Sequence, residues 1–585
     1  MSNSLFDPAF QAVYGNPGKT FASPADWRDC PIYFLMVDRF NNTQNPPVHA
    51  PFDDPAFGQY QGGTFEGIQV RLQYIKDLGA GAVWLSPVLE NPPWDEGCYH
   101  GYGIHSFLHA NPRFATNPAT ADDELRALVD AAHQAGLYVI FDIVLNHTGD
   151  IFSYDGSGSQ APFSNNVLPI HYRDGAGAVQ NTWTSLQGIA NPSSNALVWP
   201  KELQRDEFFR RQGAAPGGST VGDFDSLKQM LTENRSVQDF LIRAYQYVIA
   251  RFDIDGFRID TLPYLKAGLP LLFGNAIREY ALSIGKKNFF TYGEVLFGDI
   301  EDTIAAFIGR NTTTSTGDQV GIDAALDYPL YFALGPVVQG GAAPTSVIEL
   351  YLNRKAVEED IISSHGDATR FFVTFLDNHD MKKRLRRWDP AQQPALDDEV
   401  TLGIACLASL PGIPCIYYGT EQGLHGAGTT DPSVREALWG GPGFNAGASF
   451  YFDIAKILAL RAIEPALRYG RFYFRQLSGD GTNFGFSTFA PGVLAWSRIL
   501  NDREILVVAN TSKVDPQQLH VVVDSTLTPD GTALAVLYSN KIQAQTPSAS
   551  VSIPGASVTQ VDNSVSQGTC ATLVRLRPGE VQIIG

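Results

Sequence analysis

Four stretches of the chain share one design: an apolar run of strand-forming residues that ends in ionisable or hydrogen-bonding side chains. Phe371-Phe372-Val373-Thr374-Phe375-Leu376 runs into Asp377-Asn378-His379-Asp380. Leu137-Tyr138-Val139-Ile140-Phe141 runs into Asp142 and on to Asn146-His147, and Phe252 to Phe257 runs into Arg258-Ile259-Asp260. Phe289-Phe290-Thr291-Tyr292-Gly293 runs into Glu294. Apolar runs of this length suit strands buried on both faces, the strand type of parallel α/β sheets. Such sheets collect their functional groups at the C-terminal ends of the strands. One such run is a strand ending in a polar loop; the recurrence argues for a shared site.

Ile32 to Val37, ending at Asp38-Arg39, and Gly81 to Leu85 are further buried-strand runs. Ile68, Leu72, Ile75 and Leu78 have helical spacing with Gly79 as the stop, and Leu125, Leu128, Val129 and Ala132 mark a helix over 122–136. Further helices are expected near 236–251, 269–283 and 454–463. Ala324 to Leu330 reads as a weaker sixth strand and Ile413 to Gly419 as the eighth. Strands and helices in alternation, with short connections, predict a parallel sheet. Eight such units predict an α/β fold closed as a (β/α)8 TIM barrel. The alternation breaks from Thr148 to Asp223, where Gly, Ser, Asn and Pro dominate. Structureless loops of that length are rare inside a compact domain. Residues 148–223 are therefore expected as an inserted subdomain after strand 3, leaving 31–147 and 224–465 as the barrel. Residues 1–30 read as an irregular lead-in. Short alternating runs beyond Gly470 predict a C-terminal all-β sandwich domain over 466–585.

The excess of 61 acids over 42 bases gives a formal charge of -19. That balance disfavours nucleic acid and anionic membranes as partners and suits a neutral substrate. The 5 cysteines are odd in number and irregularly spaced, without zinc spacing or a disulfide framework. No basic n-region or apolar h-region opens the chain, and no apolar run reaches the ~18 residues of a membrane span. A cytoplasmic location is expected, with a secreted mature form lacking its presequence as the alternative. No pattern speaks to oligomeric state.

The polar tips carry a family likeness. Asp142-Ile143-Val144-Leu145-Asn146-His147, Gly256-Phe257-Arg258-Ile259-Asp260, Gly293-Glu294-Val295 and Phe375-Leu376-Asp377-Asn378-His379-Asp380 resemble, in order and spacing, the motifs of the α-amylase family of glycoside hydrolases (family 13). Tyr99-His100-Gly101-Tyr102, Pro411-Gly412-Ile413-Pro414 and Asp431-Pro432-Ser433-Val434-Arg435-Glu436 support it. Among members, the chain looks like maltogenic amylases, cyclomaltodextrinases and α-amylases without an extra N-terminal domain. The resemblance implies a retaining hydrolase of α-1,4-glucosidic bonds in starch-derived maltooligosaccharides or cyclodextrins. It makes Asp260 the nucleophile, Glu294 the general acid/base and Asp380 the third carboxylate. Arg258 would sit beside Asp260, with Asp142 holding Arg258. His147 and His379 would hydrogen-bond the sugar at the cleavage site. Tyr102 would stack on that sugar, with Tyr99 and His100 close by, and Asp431 and Arg435 would bind sugars toward the non-reducing end.

The residue types suit that chemistry. A retaining glycosidase needs two carboxyls roughly 5 Å apart, one ionised and one protonated. Arg258, two residues before Asp260 on a strand, shares its face and is expected to keep it ionised. Glu294, between Phe290 and Phe297, is expected to be desolvated. No cofactor is required. Calcium is an option that the resemblance attaches to Asn146, whose amide oxygen is a suitable ligand; Ser226 and Thr64 depart from the calcium-loop pattern. Pro263-Tyr264 replaces the Lys-His pair that typical endo-acting amylases resemble here, which points toward short maltooligosaccharides or cyclodextrins. Three other readings stand beside hydrolysis: an α-glucan transglycosylase using the same intermediate, a non-catalytic sugar-binding protein on the same fold, and a metal-dependent barrel hydrolase. The last needs histidines at ligand spacing, and none are found.

Overall fold

The computed structural model describes residues 3–49, 58–161, 164–212, 221–266, 268–296, 304–309, 321–357, 362–363, 366–393, 396–426, 428 and 430–585. Its centre is a ring of strands: β1 (Ile32–Leu35), β2 (Ala82–Leu85), β3 (Tyr138–Ile143), β4 (Gly256–Ile259), β5 (Phe290–Gly293), β6 (Ala324–Ala325), β7 (Val373–Thr374) and β8 (Ile413–Tyr417). They lie in the order β6-β5-β4-β3-β2-β1-β8-β7. Every pairing is parallel. A parallel bridge between Leu326 and Val373 joins the two ends and closes the TIM barrel. β1, β2, β4 and β5 are buried at every residue. Helices cover the outer face and packed side chains fill the inner one, so strict apolar runs, without alternation, are what this ring selects.

Local chemistry trims two strands below their sequence reading. Ala368–Phe371 form a 3-10 turn, opened by the Asp367 side chain accepting from the Thr369 N–H, and only Val373–Thr374 pair. After β6, Asp327 accepts from the Leu330 N–H and Pro329 sits in the first turn, so a helix begins at Tyr328 within the expected strand. The lead-in is less irregular than expected. Pro8–Gly15 is a helix whose Phe10 ring stacks on Tyr247, 4.5 Å between centroids. The helix expected from Ile68 to Leu78 is divided into Phe65–Gln69, capped by Thr64, and Leu72–Asp77.

The insertion leaves and rejoins the barrel through one ladder, His147↔Gln229 and Thr148↔Lys228. Within it, Phe152–Tyr154 pair antiparallel with Ile170–Tyr172. After Gly470, ten strands form two five-stranded sheets. Strand periodicity splits one hairpin between two cores. Val493, Ala495, Leu506 and Val508 join the cluster between the sheets, whereas Leu494, Trp496, Ile505 and Val507 join the core of the barrel. All five cysteines are buried and unbridged. Among the described residues no helix is long and apolar enough to cross a membrane.

Candidate active site

Strand register assembles the centre of the site. Arg258 on β4 is the register partner of Asp142 on β3, and Ile259 is the partner of Gly293 on β5. Asp260 and Glu294 therefore leave neighbouring strands side by side, one residue past the last pair. The Arg258 guanidinium, fully buried, reaches the carboxylates of Asp142, Asp260 and Glu294. Nη1 donates to Asp142 Oδ1 and Asp260 Oδ1, both at 2.9 Å, and Nη2 donates to Glu294 Oε2 at 2.8 Å. Glu294 Oε2 also accepts from the Thr261 N–H at 3.1 Å. Thr261 adopts a left-handed backbone with φ 48, uncommon for a β-branched residue, and this conformation accompanies that contact.

A second group closes the opposite side. The Tyr102 hydroxyl donates to Asp142 Oδ2 at 2.8 Å and lies 2.6 Å from His379 Nε2, with the two rings stacked at 9°. The hydroxyl proton is used on Asp142, which assigns the Nε2–H tautomer to His379. His379 Nε2 is also 3.2 Å from Asp380 Oδ2. Arg435 donates to Asp380 Oδ1 at 3.2 Å, to the Tyr99 hydroxyl at 2.9 Å and to the His379 carbonyl at 2.9 Å. His100 Nδ1 accepts from the Tyr102 N–H. Asp431 opens a 3-10 turn nearby; its Oδ1 is buried without a partner, and Arg435 directs its donors to the groups just named. Every predicted site residue except Asn146 thus belongs to, or borders, this one cluster, His147 through the backbone of Tyr102.

His147 is buried, with Nε2 unpartnered, and stacks on Phe224 at 6.2 Å. Phe224 meets Tyr264 edge-on at 5.7 Å. These rings form an aromatic wall between the insertion and the loop after β4.

The electrostatics correct one expectation. Asp260 is not held in the ordinary carboxylate range: burial first, then the Glu294 charge, push its carboxyl well above that range against the pull of Arg258. Arg258 cannot favour Asp260 alone because its charge is divided among Asp142, Asp260 and Glu294. Burial likewise raises Asp142 to about 7. His147 falls to about 4, and His100 and His379 fall well below the usual imidazole value, all chiefly through burial. The imidazoles are therefore neutral donors and acceptors, suited to sugar hydroxyls. Of the expected apolar neighbours of Glu294, Phe290 is buried and Phe297 lies outside the described residues.

Asn146, the residue that the resemblance links to calcium, is engaged within the protein. Its Oδ1 accepts from the Gln229 amide at 3.1 Å, so the oxygen that would ligate a cation faces a donor. Gln229, not Ser226, brings its side chain to Asn146, because the ladder pairs Gln229 with the neighbouring His147. A cation is nevertheless present close by. Lys228 Nζ, fully buried, lies 3.3 Å from Asp150 Oδ1 and 3.6 Å from Asp223 Oδ2. It donates to the Ser159 carbonyl and sits 5.0 Å and 5.1 Å from the ring centroids of Phe152 and Tyr154. Among the described residues no group of three or more His, Cys, Asp or Glu side chains is arranged to hold a metal.

Two contributors escaped the sequence reading. Trp84, on β2, donates from Nε1 to Asp142 Oδ2 at 3.2 Å. Arg39, just past β1, lies 4.1 Å above the Tyr99 ring and donates to the Arg435 carbonyl. Arg39 carried a signal, a charged side chain just past a buried strand, whereas Trp84 lies within its apolar run and carried none.

Residues 34–456 match the family model for the alpha-amylase catalytic domain. An α-amylase of Streptomyces lividans is 27% identical over 519 residues, covering 80% of this chain and 52% of that protein. The chain thus spans about half the length of that relative. A cyclomaltodextrin glucanotransferase of Niallia circulans is 25% identical over 492 residues, covering 81% of this chain and 59% of that protein. The solved structure of a Geobacillus thermoleovorans α-amylase complexed with acarbose has a TM-score of 0.62 at 23% identity, covering 96% of this chain and 99% of that one. At that identity the likeness carries the fold.

Proposed function

The chain belongs to the α-amylase family, and from that membership we propose that it is a retaining glycoside hydrolase of α-1,4-glucosidic bonds in maltooligosaccharides or cyclodextrins. The observation that carries the reading is the Arg258 fork, which presents Asp260 and Glu294 side by side at the barrel mouth. In this reading an Asp260 carboxylate oxygen attacks the anomeric carbon. Glu294 gives its proton to the glycosidic oxygen, and the bond to the leaving sugar breaks. Water then gives a proton to Glu294 and attacks the same carbon, freeing Asp260. Two inversions leave the α configuration. Asp380, His379 and His147 hold hydroxyls of the reacting sugar, and Tyr102 packs on its ring. Arg435, with Asp431 beside it, holds the next sugar toward the non-reducing end. No step calls for a metal.

Transglycosylation is the second reading. Phe224 is 38% exposed and leans on Tyr264 beside His147, an aromatic platform on which an acceptor sugar can stack in place of attacking water. One experiment addresses both readings: products from maltotriose, cyclodextrin and starch, with NMR of the first anomer released. Shortened α-configured products support hydrolysis with retention, and products longer than the substrate support transfer. Early β-configured sugar would overturn the roles of Asp260 and Glu294, and no turnover on any α-glucan would favour a binding protein.

A further inference from the structure

At the N-terminal end of the barrel, away from the candidate active site, a cavity of about 420 Å³ opens between barrel and sandwich. Arg28 precedes β1, Thr369 and Arg370 precede β7, and Pro411 and Gly412 precede β8, so the cavity lies under the strand ends opposite to those that carry Asp260 and Glu294. Its lining is cationic: eight arginine and lysine side chains against one carboxylate, Asp367. A chain with a formal charge of -19 does not produce that concentration from its average composition.

Five of the eight have acidic partners. Arg28 pairs with Asp26, Arg468 with Asp29 and Arg475 with Glu504; Arg354 pairs with Asp327 and Arg370 with Asp367. Lys355, Arg471 and Arg498 have none among the described residues. Arg498 is 2% exposed and donates only to the backbone carbonyls of Ser409, Arg468 and Gly470. Its Nε, and that of the equally buried Arg354, are without partners. Burial pushes Arg498 down to about 9, helped by the charges of Arg370 and Arg28. Uncompensated buried cations of this kind favour a bound anion.

One wall is aromatic. Tyr351 and Phe472 have ring centroids 4.9 Å apart, and Phe472 and Phe474 4.7 Å apart. The Tyr351 hydroxyl is buried without a partner. We propose that this cavity binds a small molecule that joins a phosphate to a ring, with the phosphate on Arg471, Lys355 and Arg498 and the ring against Tyr351 and Phe472. A neutral glucan gains nothing from the cations. A polyanion such as nucleic acid is repelled by the rest of the surface and is too large for the cavity. A sugar phosphate and a nucleotide share the required chemistry.

Calorimetric titration of the full chain with glucose 1-phosphate, ADP and inorganic phosphate tests this. One of the two ring-bearing phosphates should bind with submillimolar affinity, at least about tenfold tighter than inorganic phosphate. Which of them binds identifies the ring. The double variant Arg471→Glu/Lys355→Glu alters two exposed rim residues and should weaken that binding at least about tenfold. Its melting temperature and its activity on maltooligosaccharides should not change. Absence of binding by both ring-bearing phosphates at millimolar concentration would overturn the proposal. So would equal affinity for inorganic phosphate, or undiminished affinity in the variant.

Discussion

Arg258 holds Glu294 at 2.8 Å through Nη2, the guanidinium nitrogen that Asp260 does not use. One cation therefore serves both carboxyls of the proposed pair, and neither is neutralised at the expense of the other. What raises the Asp260 carboxyl is burial first and the charge of Glu294 second.

Asp260→Asn should lower kcat by about four orders of magnitude or more, because covalent catalysis is lost while oligosaccharide binding remains. Its stability should move the other way. The Asp260 pKa is raised in the fold, so the neutral acid is the stabilising form. Its contribution is complete at low pH and lost as pH rises through the raised value. The amide is neutral at every pH and should leave the melting temperature at pH 7 unchanged or higher. Near-wild-type rates in a folded variant would rule out Asp260 as nucleophile.

The pH profile of kcat/KM should be a bell whose acid limb belongs to Asp260 and lies above the aspartate reference of about 3.9. Glu294→Gln removes the second-largest cause of that shift, so the acid limb should move to lower pH. An aryl maltoside with a good leaving group makes this measurable, since it needs little protonation. Azide should then intercept the glycosyl-enzyme to give an α-configured product. An acid limb that stays in place would show that the charge of Glu294 is not the source.

Tyr102→Phe keeps the ring stacked on His379 but removes the hydroxyl shared by Asp142 and His379. A fall of at least about tenfold in kcat/KM is expected, with the fold retained. Steady-state kinetics and a thermal melt read the two effects separately, and unchanged kinetics would make the hydroxyl idle.

Lys228→Met should lower stability by about 3 kcal/mol, since it leaves Asp223 buried without its cation, while Asp150 keeps Arg173. A chelator should leave the melting temperature of the unaltered chain where it is. A large drop on chelation would mean that a metal holds the insertion.

Sequence and structure agree best where a local pattern carries the information. The apolar runs that end at Asp142, Asp260 and Glu294 became β3, β4 and β5, and their polar tips met. The tip at Asp380 also reached the site, although β7 shrank to Val373–Thr374 because Asp367 capped a turn just before it. What could not be read locally depends on partners far along the chain. Arg258 lies two residues from Asp260, so that contact was visible; the claim of Glu294 on the same guanidinium arises only through the β4–β5 register. Trp84 reaches Asp142 across β2 and β3, and a buried tryptophan in an apolar run gives no hint of a hydrogen bond. Lys228 lies in a stretch without periodicity, and its burial comes from the ladder with Thr148, which no local pattern shows.

That lysine has a consequence for how the insertion is held. A bound ion has a dissociation constant, so dilution or competition can remove it. An ammonium group on the chain has none: it is made with the protein, in a ratio of one per molecule, and is present at any dilution. The junction between insertion and barrel is therefore as available in a nanomolar solution as in a concentrated one, and its occupancy is set by translation and not by the surrounding medium.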